Sequence, residues 1–369
     1  MLDKMRSLRR LIGGTAAAAC LILAGTAASA ETYNAVCFAP AEGVTKTMQI
    51  DERDGPYKLA LVNGFAGNDW RIQMIQSVKA WAAKDENKKN IDELAIVSVG
   101  NDAAAQISAV DNYIAAGYDG IIFIAVNPTA FDAVIKRADR AGTVLVPFDN
   151  VLDTDRVVQV NEPQKELGAL KAKTVLENIS KANPRILEVR GLQGNSTDRD
   201  RHLGARAVLD PAGAEVIEVV GNWDTGTVQK VVADALATHG QFDGVVCQHG
   251  CAGAINAMLD AGHPVVPIGA DAENGVRILM AKHSIPGVSA AQAPAMSVVA
   301  MMATVAQLQG HELPQLIHLP IPHVFSKDLK DGVNYFTELP ASFNTGTGFK
   351  QCDLALTPDE LLAQSPANE

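Results

Sequence analysis

The residues best suited to chemistry in this sequence sit just after its apolar runs. Asn68, Trp70 and Arg71 follow "KLALVNGFAG", and Asp149 with Asn150 follows "TVLVPF". Asn195 to Arg199 follow "RILEVRGLQG", Trp223 and Asp224 follow "EVIEVVGN", and Gln248 and His249 follow "GVVC". Asp271 follows "VPIGA" and Gln292 follows "SAA". Asp, Asn, Arg and Gln carry planar groups that hold two neighbouring polar atoms at once, and together they supply donors and acceptors. A sugar hydroxyl is both donor and acceptor, and the C–H face of a sugar ring packs on an indole. Phosphate would demand more cations, and an apolar ligand fewer carboxylates. The set therefore describes the walls of a site for a polyhydroxylated molecule, with Trp70 and Trp223 placed to hold a ring between them.

Other chemistries lack their motifs. Neither G-x-G-x-x-G nor G-x-x-x-x-G-K-[ST] occurs, and "GFAGN" and "GLQGN" provide only G-x-x-G. G-x-S-x-G and H-E-x-x-H are also absent. Asp149 with His249 is the one acid–base pair on offer to an enzyme. Singly, the residues have structural roles: Asn68-Asp69 can cap a helix and Asp149-Asn150 can form a turn. "CQHGC" could bind zinc through His249, but a fourth ligand at metal-like spacing is wanting. Outside the first thirty residues there are four cysteines, for which an oxidising compartment favours disulfides in one of three connectivities. Cys247 and Cys251 are four residues apart at a strand-to-helix turn, and Cys37 and Cys352 could tie the two terminal segments together. No cofactor is implied.

What must position these residues is an alternation of strands and helices. Strands are expected at "KLALVN", "LAIVSV", "GIIFIAV", "TVLVPF", "RILEVR", "AEVIEVV", "DGVVC" and "PVVPI". Helices are expected at 70–83, 103–116, 128–141, 163–180, 198–209, 226–239, 252–261 and 294–309. Unbroken Val/Ile/Leu runs joined by helices indicate parallel strands buried on both faces. The 369 residues suit two lobes better than one core. The fold class is α/β: two doubly wound parallel-sheet lobes joined by a three-segment hinge, with ligand at the carboxyl ends of the strands.

The expected organisation is a signal peptide at 1–30, an N-terminal extension at 31–56, one lobe from 57–160 and 292–319, the other from 161–291 and 320–340, and a tail at 341–369. The hinge crossings fall near 160–162, 291–293 and 319–321. The leader has a basic start, an apolar core containing Cys20, and "ASA" before Glu31. Its removal takes the formal charge from 31 − 42 = −11 to 27 − 41 = −14. An acidic exported chain has no electrostatic footprint for nucleic acid or anionic lipid, and no later stretch is long enough to insert in a membrane.

On these segments the chain resembles the ribose-binding class of periplasmic substrate-binding proteins, which serve ATP-driven (ABC) sugar importers. "LALVNGFAGNDW" is similar to that family's first strand with its following Asn and aromatic, here Asn68 and Trp70, with Arg71 in the place of a second aromatic. "NPTAFDAVIKRADRAGTVLVPFDN" resembles the stretch ending in an Asp-Arg pair, here Asp149-Asn150. "ILEVRGLQGNSTDRDRHLGARAVL" resembles the segment whose helix-start arginine grips the sugar, which falls on Arg199. Trp223 takes an aromatic position, "VPIGADAENG" keeps Asp271 but has Ala270 for a Phe, and "SAAQAP" supplies Gln292. "CQHGCAGA" is shorter than its counterpart and offers Gln248 or His249. The resemblance implies a periplasmic, monomeric protein without enzymatic activity that captures a small sugar or polyol and hands it to an inner-membrane permease of an ABC importer. A sensor that feeds a chemoreceptor or signalling kinase is the alternative.

Overall fold

The computed structural model describes residues 33–65 and 67–367. The expected leader, residues 1–30, lies outside the described residues. The first lobe is built on a four-stranded parallel sheet in the spatial order Ile91–Ser98, Tyr57–Asn63, Gly120–Phe123, Val144–Pro147. Successive side chains of a strand face opposite ways. Leu59 and Leu61 therefore pack on one side with Met74 and Val78 of the helix Asp69–Ala82 and with the helix Met296–Leu308. Ala60 and Val62 pack on the other with Val110 and Ile135. Burial on both faces is why this strand has no polar alternation.

The second lobe repeats the plan. Its sheet runs Glu215–Val220, Arg185–Arg190, Gly244–Cys247, Ile268–Ala270, Gly287–Ala290 in parallel, with His323–Phe325 antiparallel at the edge. Leu187, Val189 and Val245 meet Val228, Val232 and Ile255 on one face. Ile186 and Val246 meet Ala172, Val175 and Leu209 on the other.

The chain leaves the first sheet through Gln159–Asn161, returns through 291–293 into the helix Met296–Leu308, and leaves again after Leu316–His318. The first and last of these passages pair in parallel, Val160 opposite Ile317. Three crossings set side by side define the hinge.

Element boundaries depart from the sequence where proline or small residues intervene. The strand expected at "PVVPI" starts only at Ile268. Pro264 and Pro267 have no N–H to give a ladder, and Val265 is exposed. The helix expected from 128 begins at Asp132, and the one expected from 198 begins at Ser196. The strand Gly287–Ala290 and the helix Asn274–Lys282 add to the expected set.

The terminal segments form small elements of their own. Thr47–Met48 pairs with Leu313–Pro314, Gly348–Phe349 pairs with Leu354–Ala355, and Thr357 with Glu360 forms a capping box for the helix Pro358–Leu362. The sulfurs of Cys37 and Cys352 lie at disulfide distance, as do those of Cys247 and Cys251. The C-terminal segment touches both lobes. In the second, Asn274 N donates to Phe343 O (2.8 Å) and Gly275 N to Ala341 O (2.8 Å). In the first, Gln73 exchanges two hydrogen bonds with the Asn344 backbone, at 2.7 and 2.8 Å. Residues 341–346 thus make a fourth passage between lobes.

Candidate functional site

The strand ends of the two sheets face each other across a cavity of about 30 Å³ lined by Asn68, Trp70, Arg71, Asp149, Thr197, Arg201, Trp223, Gln248, His249, Ala291 and Gln292. That is room for two or three water-sized atoms. The lobes touch around it: Thr197 Oγ1 donates to Asp149 O (3.1 Å), Ser196 Oγ to Val151 O (3.0 Å), and Asn68 Nδ2 to Trp223 O (3.4 Å). The two lobes are thus in contact around the cavity.

The first lobe presents its residues from two turns. Asn68 caps the helix Asp69–Ala82 by accepting from Arg71 N at 3.0 Å, which satisfies an end-of-helix donor and fixes the direction of Trp70 and Arg71. The Trp70 indole N–H donates to the carbonyl of Gln292 on the hinge (2.9 Å). Arg71 Nη1 donates to Asn63 Oδ1 at 2.7 Å, and its Nη2 stands 3.6 Å from Asp149 Oδ2. Burial lowers the Arg71 pKa, with Asp149 acting against it. Asp149 has a left-handed backbone, φ 61°, a conformation that Asp tolerates better than most side chains. Asn150 is buried behind it, outside the cavity lining, and its Oδ1 has no hydrogen-bond partner among the described residues.

The second lobe differs from the sequence expectation at its arginine. Arg199 lies at the rim, its side chain 45% exposed, paired with Asp200 (2.8 Å) and with Asp153 of the first lobe (3.1 Å). Those carboxylates, Asp200 first, hold its pKa above the ordinary value. The arginine in the cavity is Arg201, only 6% exposed, with Nε donating to Gln164 Oε1 at 2.8 Å and Nη2 to Gln292 Oε1. The reason is helical phase. With Asn195 as cap, Thr197 and Arg201 are four residues apart and share a face, whereas Arg199 is two away and points elsewhere. Counting from that cap was the signal available in the sequence. Burial lowers the Arg201 pKa, with Asp149 foremost among the carboxylates opposing it.

His249 Nε2 lies 3.1 Å from Glu273 Oε1 and its Nδ1 3.7 Å from Asp271 Oδ2. Burial alone would lower its pKa; Glu273 and then Asp271 outweigh burial and raise it. His249 is thus engaged by these two carboxylates. Asp271 itself is wholly buried beneath the cavity, accepting from Cys251 N (2.9 Å) and Glu273 N (3.0 Å). It shapes the turn. The sulfurs of Cys247 and Cys251, on either side of this turn, face each other.

Of the expected residues, eight line one cavity: Asn68, Trp70, Arg71, Asp149, Trp223, Gln248, His249 and Gln292. Asn150, Arg199 and Asp271 lie outside it; Thr197, Arg201 and Ala291 join it. Two α/β lobes closing on a polar and aromatic cavity at their strand ends have the architecture of a solute-binding protein. The chain belongs to the periplasmic binding proteins, whose family model, described as a periplasmic binding protein domain, matches residues 59–312. It is 25% identical over 219 residues to the D-ribose/D-allose-binding protein of Pseudomonas aeruginosa, a match covering 56% of this chain and 67% of that one. It is 29% identical over 188 residues to a xylitol-binding protein of Mycolicibacterium smegmatis, covering 49% and 53% respectively. Among solved structures, an ABC transporter solute-binding protein from Thermobispora bispora superposes with a TM-score of 0.69 at 26% identity, covering 74% of this chain and 86% of that one. One from Actinobacillus succinogenes with bound D-allose, at 20% identity and a TM-score of 0.65, shares the fold over 74% of this chain and 98% of its own. Among the described residues, no helix is long and apolar enough to cross a membrane.

Proposed function

We propose that this chain is an exported, periplasmic and monomeric solute-binding protein that closes on one small sugar or polyol and delivers it to the permease of an ABC importer. The observation that carries this reading is the cavity itself: a buried carboxylate, Asp149, flanked by the buried guanidinium groups of Arg71 and Arg201 and bounded by Trp70 and Trp223. Carboxylate and guanidinium together satisfy a hydroxyl both as donor and as acceptor. Charge-assisted bonds of this kind contribute about 1.5–3 kcal/mol each. The names of relatives that bind ribose, allose and xylitol support the same ligand class. Ligand that contacts both lobes favours the closed state by its differential affinity for it. Release then requires something that reopens the lobes, which is the permease's part in this reading.

The test is a thermal-shift screen of the mature protein against pentoses, hexoses and their alditols. A ligand at a hundred times its dissociation constant stabilises by about 2.7 kcal/mol, so the expected result is a clear rise in Tm with a few of these compounds. No shift with any carbohydrate or polyol at millimolar concentration would reject the reading.

A further inference from the structure

Trp223 is held in the cavity wall by the protein with unusual completeness. Its own backbone and that of Asn222 are left-handed, φ 58° and 53°, and Asp224 pins the turn by accepting from Thr227 N at 2.7 Å as the cap of the next helix. The indole lies against Gly191, where a Cβ would come within 1.9 Å of Nε1, so only glycine allows that approach. The indole N–H donates to Gln248 Oε1 at 3.1 Å. Gln248 Nε2 in turn donates to Asp198 at both its Oδ1 (3.0 Å) and its carbonyl (3.2 Å). Asp198 is fixed by Arg190 through two bonds, at 3.0 and 2.6 Å, and Arg190 reaches Glu218 at the surface (2.9 Å). The amide can face only one way, because an indole N–H only donates and an ionised carboxylate only accepts. The Gln248 amide is therefore engaged inside the protein at both its oxygen and its nitrogen. So are both indole N–H groups of the cavity, since Trp70 donates to Gln292 O.

We propose that Gln248 is a positioning residue rather than a ligand contact: it locks Trp223 as a fixed carbon wall, and that wall makes the site prefer ring-form sugars over open-chain polyols. This rests on the carbohydrate-binding function proposed above. With its N–H engaged, Trp223 offers the ligand carbon surface, which a flat pyranose or furanose face covers and a flexible chain does not. An immobile wall adds discrimination because none of the contact is lost to reorientation of the ring.

The experiment pairs each aldose with its alditol, D-ribose with ribitol and D-xylose with xylitol, by calorimetry on wild type and Gln248→Leu. Solvent exchange of the Trp223 indole N–H is followed by NMR in the same proteins. Wild type should favour the aldose by about fivefold or more, in the range of a ring–aromatic contact. Gln248→Leu should expose the indole N–H to exchange and collapse that ratio towards one, while alditol affinity stays within about threefold of wild type, the change expected when no direct contact is lost. If Gln248→Leu fails to fold, Gln248→Met, which removes the amide while keeping an unbranched side chain of similar length, takes its place and should show the same exposure of the indole N–H and the same collapse of the ratio. Equal weakening of aldose and alditol would make Gln248 a direct contact and overturn the proposal. A preserved ratio with a protected indole N–H, or alditol preference in wild type, would also overturn it. Wild type that binds no pentose, hexose or alditol overturns the functional reading beneath it.

Discussion

The two walls of the cleft use similar residues differently. On the first-lobe side the charged pair Arg71–Asp149 is loose, at 3.6 Å, and Arg71 is otherwise met by neutral groups, the Asn63 amide and the Trp70 ring. On the second-lobe side Trp223, Gln248 and Asp198 are bonded to one another, and His249 is bound to Glu273. Arg201 is the exception there, since its two side-chain acceptors, Gln164 and Gln292, are neutral amides. In the function proposed above, the first wall with Arg201 opposite would carry the polar recognition, and the rest of the second wall would serve as a backing. A polar residue at a strand end is not thereby a ligand contact: what matters is how many of its donors and acceptors the protein has already engaged.

This contrast can be broken by substitution. The largest effect is expected at Asp149. Asp149→Ala removes the one carboxylate in the cavity lining and leaves Arg71 buried without a countercharge. Stability should fall by about 3 kcal/mol in urea titrations, and calorimetry should show affinity reduced at least about a hundredfold, as for one or two lost charge-assisted bonds. Arg201→Ala should cost roughly ten- to a hundredfold in affinity with an unchanged closed-state fold by circular dichroism.

A third substitution tests the charge beneath Arg201. Glu162 is wholly buried on the hinge and accepts from Ala293 N at 3.1 Å, and its Oε2 has no hydrogen-bond partner among the described residues. Burial raises its pKa well above the ordinary 4.5, with Arg201 among the opposing influences. A raised carboxyl pKa means that the folded state binds more protons than the unfolded state above pH 4.5, so the Glu162 contribution to stability falls as pH rises from there. Glu162→Gln should leave stability nearly unchanged near pH 4.5 and increase it at pH 8. A Glu162→Gln protein less stable than wild type at pH 8 would mean that Glu162 is charged and serves as the countercharge of Arg201. The smallest effect is expected at the rim: Arg199→Ala should change affinity by less than about fivefold, in keeping with the small value of exposed ion pairs.

Much of this was legible in the sequence. Strands such as Gly120–Phe123 are apolar on both faces, and that signal survives without a structure because two-sided burial leaves no alternation. The strand-end rule found eight cavity residues because the sheets do present their carboxyl ends to the cleft. It failed where position along a turn was taken for direction. Arg199 and Arg201 flank one residue, and only the phase set by the Asn195 cap separates rim from cavity. Asp271 and Asn150 failed for another reason: each follows a strand, but each turns back into its own lobe, Asp271 onto two backbone N–H groups and Asn150 through its carbonyl to Ala125 N. The tail passing between lobes had no sequence signature, because Asn344 and Gln73 are ordinary polar residues until the fold sets them opposite each other. By contrast, the pairing of Cys37 with Cys352 was visible from their lying in the two terminal segments.

Calorimetry of wild type, Arg201→Ala and Arg199→Ala with the sugar or polyol giving the largest thermal shift tests the central claim most directly. The account predicts one saturable site per chain, strong loss of affinity in Arg201→Ala, and near wild-type binding in Arg199→Ala. Binding that survives Arg201→Ala unchanged, or that is lost equally in both variants, would place the ligand outside the cavity described and contradict the account.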